Sequence, residues 1–336
     1  MHGQFVWYDL ITSDPAAAQR YYPQITGWKT QKWDNPSSTT PYTMWTVDGE
    51  PIGGVGPITS EQAAMGVRPF WLPSVHVNNM DQSVQKVSAL GGKVVHGPDP
   101  IPDMGRYAII QDPQGATIAI YQPQGPTRGF DGTPSIGRFS WNELMTTDFQ
   151  RAFDFYRQLF GWEKTGEPMD MGGGNMYLLY GMKGKPFGGI FNRMPDMAHM
   201  PPNWLPYVFV KDVKKTVEAA TRAGGILGRG PMDVPGGIIA ILADPQGARF
   251  ALHQETSQTT AKPSAAKAKP KSKAKARSKP RRVAKAAARA KVGKARPKTK
   301  ARSKTRVRSK ARARPKARPR PKARAKKRAA RKSRRR

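Results

Sequence analysis

The chain contains one pattern twice. Phe5-Val6-Trp7-Tyr8-Asp9-Leu10-Ile11-Thr12-Ser13-Asp14 returns as Phe139-Ser140-Trp141-Asn142-Glu143-Leu144-Met145-Thr146-Thr147-Asp148. Gly27-Trp28 returns as Gly161-Trp162, Pro51-Ile52-Gly53-Gly54 as Pro186-Phe187-Gly188-Gly189, and Trp71-Leu72-Pro73 as Trp204-Leu205-Pro206. Asp112-Pro113-Gln114-Gly115 recurs as Asp244-Pro245-Gln246-Gly247. The offset stays between 132 and 135 residues through all five blocks. Self-similarity at a fixed period means tandem copies of one structural unit. The copies span residues 1–126 and 135–256, joined by a linker at 127–134, and residues 257–336 have no counterpart.

Each copy divides again by pattern. Trp7–Thr12 reads as a strand, and Asp14 with Pro15 opens a helix that stops before Gly27, as a capping carboxylate followed by a first-turn proline should. In the second copy Asp148 caps a helix whose Phe149, Phe153, Tyr156 and Phe160 form one apolar stripe. Strands follow near Trp28–Trp33, Tyr42–Val47 and Ile52–Val55. A strand at Leu72–Val77, a helix at Met80–Leu90 ended by Gly91-Gly92, and three more strands repeat the order. The unit is βαβββ, four times over, and the class is α+β.

Paired βαβββ units resemble the vicinal oxygen chelate superfamily of glyoxalase I, bleomycin-resistance proteins and extradiol dioxygenases. The likeness rests on the Asp-capped helix ending Phe155-Tyr156…Leu159-Phe160-Gly161-Trp162, on Asp-Pro-Gln-Gly before a closing strand, and on the Gly-Gly pairs after the second helices. It is nearest to two-domain, glyoxalase-like (hydroxylase-like) proteins and implies two domains, each a cupped sheet. It also implies His or Glu on the first and last strands of metal-dependent members. Those places fall here on Trp7, Leu72, Ala119 and Gly53-Gly54, and on Trp141, Leu205, Ala251 and Gly188-Gly189. None of these side chains can coordinate a divalent ion. No metal and no other cofactor is expected.

Side chains two apart on a strand share a face. Trp7 therefore brings Asp9 into its cup and Trp141 brings Glu143, while Ser74 and His76 line the first cup and Tyr207 and Phe209 the second. Tyr121 and His253 lie two beyond Ala119 and Ala251. Two readings follow. Asp9–His76 and Glu143–His253 act as general acid/base pairs in a metal-free lyase, isomerase or hydroxylase-like enzyme; or the same groups anchor a small, partly aromatic or oxygenated ligand between Trp walls. Met194, Met197 and Met200 lie in a Pro-rich connector and are expected to pack over the joint between modules.

Composition separates the last segment from the rest. Residues 262–336 hold 37 Lys and Arg with no acidic or aromatic residue, leaving 21 basic against 23 acidic residues before them. Such a segment has too little apolar surface to repay the entropy of folding, so a disordered tail is expected from 257 to 336. Arg296, Lys298, Lys300, Arg302, Lys304, Arg306, Arg308, Lys310, Arg312, Arg314, Lys316, Arg318, Arg320, Lys322, Arg324 and Lys326 alternate with small residues or Pro. The pattern resembles the Lys/Ala/Pro-rich tails of linker histones and bacterial histone-like proteins, which implies non-specific DNA binding through phosphates. RNA and other polyanions remain alternatives, and so does a purely architectural, nucleoid-associated role. The sequence has no Cys, which excludes thiolate sites and disulfides. With no signal peptide or membrane span in view, a cytoplasmic location and no membrane partner are the expectation; a homodimer is left open.

Overall fold

The computed structural model describes residues 1–34 and 41–256. The charged segment and every residue proposed above to meet nucleic acid lie outside the described residues. Among the described residues no helix is long and apolar enough to cross a membrane.

The first module runs β1 (Phe5–Thr12), α1 (Pro15–Thr26), β2 (Lys29–Lys32), β3 (Thr43–Val47) and β4 (Glu50–Pro57). A short helix α2 (Ser60–Ala64) leads to the second module: β5 (Phe70–His76), α3 (Met80–Ala89), β6 (Lys93–Ile101), β7 (Gly105–Gln111) and β8 (Thr117–Pro123). The third module is β9 (Phe139–Thr146), α4 (Phe149–Phe160), β10 (Glu163–Lys164), β11 (Met169–Asp170), β12 (Met176–Met182) and β13 (Lys185–Asn192). The fourth is β14 (Asn203–Phe209), α5 (Val213–Arg222), β15 (Ile226–Val234), β16 (Gly237–Ala243) and β17 (Arg249–Glu255). Four βαβββ modules, the third with an extra two-residue strand β11 paired to β12, form two mixed sheets, ordered β2-β3-β4-β1-β5-β8-β7-β6 and β10-β12-β13-β9-β14-β17-β16-β15. Within a module the first and last strands pair in parallel; the two modules of a copy join through antiparallel β1/β5 and β9/β14.

Local chemistry explains the helix ends. Asp14 and Asp148 accept first-turn amides, and Gly27 and Gly161 end α1 and α4 in the left-handed conformation at φ 76° and 75°, where a side chain would be strained.

The two copies do not keep separate cores. One continuous apolar cluster takes in Phe5, Tyr8, Tyr22, Trp28, Trp71, Phe139, Tyr156, Trp162, Trp204 and Phe250. Tyr8 stacks on Phe139 with centroids 3.7 Å apart. Trp28 Nε1 donates to Gly137 O, and Trp162 Nε1 to Gly3 O, at 2.5 and 2.7 Å. The copies also exchange a buried polar contact. The Tyr22 hydroxyl of α1 donates to Asp244 at 3.1 Å, and the Tyr156 hydroxyl of α4 donates to Asp112 at the same distance. Trp71 and Trp204 in turn donate to Tyr22 and Tyr156. Each aspartate spends its other oxygen on two amides of its own Asp-Pro-Gln-Gly turn.

Deleting one partner of a buried hydrogen bond to a charged group costs roughly 1–3 kcal/mol. Tyr22→Phe and Tyr156→Phe should each lower stability by that order in urea titration. Because the core is continuous, far-UV circular dichroism and tryptophan fluorescence should report one coincident transition rather than two.

Candidate functional site

The sheet register places the cup residues. Asp9 pairs with Gly54 on β4 and Leu72 on β5, Trp7 with Ser74, and Ser74 with Ala119. Tyr8 and Leu10 point the other way, into the shared core. Trp7 and Asp9 are thus on the cup face, as alternation expects, and Trp141 and Glu143 match them beside Tyr207 and Leu205.

What meets the carboxylates is a tyrosine from the neighbouring hairpin. The Tyr42 hydroxyl donates to Asp9 Oδ1 at 2.5 Å, and Trp7 Nε1 donates to Tyr42 at 2.8 Å and to Asp9 at 3.1 Å. In the second cup Tyr177 donates to Glu143 Oε2 at 2.9 Å, and Trp141 Nε1 donates to Tyr177 at 3.0 Å. The same Trp–Tyr–carboxylate set is built twice. Tyr42 and Tyr177 were not among the expected site residues. The glycines explain their position: a Cβ on Gly54 would lie 2.1 Å from the Tyr42 phenol, and one on Gly189 would fall 1.9 Å from the ring of Tyr177. Each ring fills the space that a side chain at the glycine would need. A signal existed in the sequence, since each tyrosine precedes its glycine by 12 residues in both copies.

The expected acid/base pairs do not meet. Asp9 lies opposite Leu72, while His76 is four residues further along β5, opposite Tyr121; at ~3.3 Å per residue that is about 13 Å. Glu143 is opposite Leu205, and His253 pairs with Phe209 at the far end. His253 Nδ1 bonds the Ser140 hydroxyl at 3.0 Å, and its ring meets Phe209 edge-on. Burial pushes His253 down to about 4 and also lowers His76, whose Nδ1 has no partner. Tyr121 donates to Met104 O at the rim. Around Glu143, the Tyr207 hydroxyl is close enough to pull the carboxyl down, yet it makes no hydrogen bond of normal geometry. Leu205, Tyr207 and Ala251 form a small apolar floor, with Trp141, Ile239 and Ile241 packed on it.

Met197 and Met200 line a cavity with Glu143 among residues of both modules of the second copy.

Electrostatics separate the cups. Burial pushes Asp9 up to about 6 from its ordinary 3.8, against the lowering by the Tyr42 and Trp7 donors. Burial raises Glu143 too, opposed by Tyr177 and Tyr207 and, more weakly, by the charges of Arg229 and Arg249. At Asp9 only burial and two neutral donors, Tyr42 and Trp7, set the balance.

Residues 4–120 match the Glyoxalase/Bleomycin resistance protein/Dioxygenase superfamily, and residues 142–253 match the glyoxalase-like domain. The chain belongs to this superfamily. It is 32% identical over 253 residues to CFP32 of Mycobacterium tuberculosis, whose name gives it only provisionally as a glyoxylase; the match covers 75% of this chain and 95% of that protein. It is 28% identical to the anthracycline biosynthesis protein DauV of a Streptomyces species, covering 74% and 92%. In fold it is similar to the Mn(II)-bound glyoxalase of Novosphingobium aromaticivorans, at TM-score 0.52, 14% identity and 76% and 82% coverage. A trihydroxybiphenyl dioxygenase of Sphingomonas wittichii aligns at TM-score 0.53, 12% identity and 76% and 91% coverage.

The donor set does not fit the divalent ion that some members hold. The family's ligand places carry indole, alkyl and glycine here, and the nearby carboxylates are engaged by phenols. Among the described residues no three His, Asp or Glu side chains converge.

The raised Asp9 carboxyl has a consequence for stability. The folded state holds this proton more tightly than the unfolded chain, so its contribution is greatest below pH 3.8 and falls as pH rises to about 6. Asp9→Asn keeps the acceptor for Tyr42 and Trp7 but cannot ionise. It should gain on the parent above about pH 7, by at most about 3 kcal/mol and less where solvent screens the half-buried group. Urea titrations across pH should show that gain disappear in acid.

Proposed function

We propose that the body is a small-molecule binding protein that works without a divalent ion, its cups recognising planar oxygenated aromatic compounds. The observation that carries this reading is the duplicated Trp–Tyr–carboxylate set beside the family's ligand places. An indole and a phenol offer flat apolar walls with polar edges, suited to aromatic guests. A carboxyl that sits near neutrality can donate to a carbonyl or accept from a hydroxyl. A relative named for anthracycline biosynthesis fits the same class of ligand.

Titration with the dihydroxyanthraquinone alizarin, followed by tryptophan quenching, tests this. Binding should survive excess chelator and weaken about tenfold, ~1.4 kcal/mol, in Trp7→Ala. Binding that requires added metal, or that ignores both Trp7→Ala and Trp141→Ala, would overturn it.

A second reading rests on Asp9 itself, since a carboxyl near 6 beside a phenol is poised for proton transfer. Metal-free turnover that is lost in Asp9→Asn with the fold intact would favour an enzyme.

The basic segment supplies a second proposed role, a non-specific tether to DNA. Its support is charge density: 37 cations and no anion in residues 262–336, which would release counterions from duplex DNA. In gel shifts across a salt series the full chain should retard DNA, with affinity falling by orders of magnitude as salt rises. A protein ending at Gln258 should not. Equal retardation by both would remove the tether.

A further inference from the structure

The segments joining the two modules of each copy occupy the same place in the fold but lie differently. In the first copy the connector carries α2, opened by a capping box between Thr59 and Gln62; no residue of α2 is buried, and Met65 is 69% exposed. In the second copy the connector, residues 193–202, turns over the cup. Met197 and Met200 meet Glu143, Phe191 and Leu205 around a cavity of only about 30 Å³, the room of a single water. Arginines hold this segment down. Arg193 donates to Met200 O at 2.6 Å, and Arg249 from β17 approaches Met200 Sδ at 3.3 Å.

We infer that Met197 and Met200 are a built-in plug that determines the selectivity of the second cup. Their thioethers occupy the space an aromatic guest would take above Glu143. On the ligand-binding reading the Asp9 cup, whose connector carries no such methionine pair, takes the first guest, and the Glu143 cup admits one only when the connector swings away. Methionine suits that task, being unbranched, flexible and apolar. The apparent affinity of the second cup falls by the fraction of time it stands open. This inference rests on the ligand-binding reading for its consequence, but the plug itself can be tested without a ligand.

Two measurements on the full chain decide it. Hydroxyl-radical labelling, read by mass spectrometry without ligand, should rise severalfold on Phe191 and Met145, which are buried beside the methionines, in Met197→Ala/Met200→Ala, while Trp7 and Tyr42 stay constant. Met197→Leu/Met200→Leu keeps the bulk and should match the parent; it also guards against a fold lost to the alanines. Unchanged labelling at Phe191 and Met145 in the alanine variant overturns the plug.

Alizarin titration then separates the two readings. The parent should bind one tight equivalent that survives Glu143→Gln, and the alanine variant should gain a second equivalent, its affinity rising about tenfold or more. Two equal equivalents in the parent, unaltered by the alanines, overturn the plug. If alizarin binds no variant while the labelling rises as stated, the plug stands and the aromatic-ligand reading falls.

Discussion

Two buried phenol–carboxylate contacts hold the copies in register, and the cups depend on them. Each turn aspartate takes two amides from its own chain segment and one hydroxyl from the helix of the other copy. A buried carboxylate left without donors is costly, so neither turn is fully satisfied unless the copies dock. The docking sinks α1 and α4 into one aromatic core, fixing the sheets from behind. With one face of β1 and β9 committed to that core, their alternate residues must face outward. Trp7, Asp9, Trp141 and Glu143 are on the cup faces for this reason.

The cups keep the family's architecture with different side chains at its ligand places. A scaffold whose four-strand convergence suits a divalent ion here presents indole, leucine, alanine and glycine at the ligand places. A carboxylate remaining in such a pocket needs another source of stabilisation, and a neighbouring phenol and indole supply it. Neutral donors stabilise a charge less than a metal or a guanidinium would. Burial accordingly holds Asp9 up at about 6 despite its phenol and indole donors. Fold similarity to metal-bound glyoxalase and dioxygenase structures shows the shared frame and not shared chemistry.

Duplication has not left the cups equivalent. Tyr207 stands where the first copy has Ser74, and His253 where it has Tyr121. Arg229 and Arg249 influence Glu143, and the methionine connector lies over it. One frame thus carries two cups of different lining, differing through a few side chains and a connector path.

Period and repetition were readable from the amino acids alone. The fivefold block match defined the copies, and strand alternation sorted Trp7 and Asp9 from Tyr8 and Leu10, because those patterns are local consequences of backbone geometry. The absence of imidazole and carboxylate at the family's ligand places was equally visible. Tertiary structure decided who meets whom. Asp9 and His76 share a face but stand four residues apart along adjacent strands, while Tyr42 reaches Asp9 across a hairpin because Gly54 leaves room for its ring. The joining of two cores into one, and the turning of Met197 and Met200 over Glu143, depend on packing between segments far apart in the chain. Facing is set residue by residue along a strand; partnership is set by the register and docking of whole elements, which no local pattern encodes.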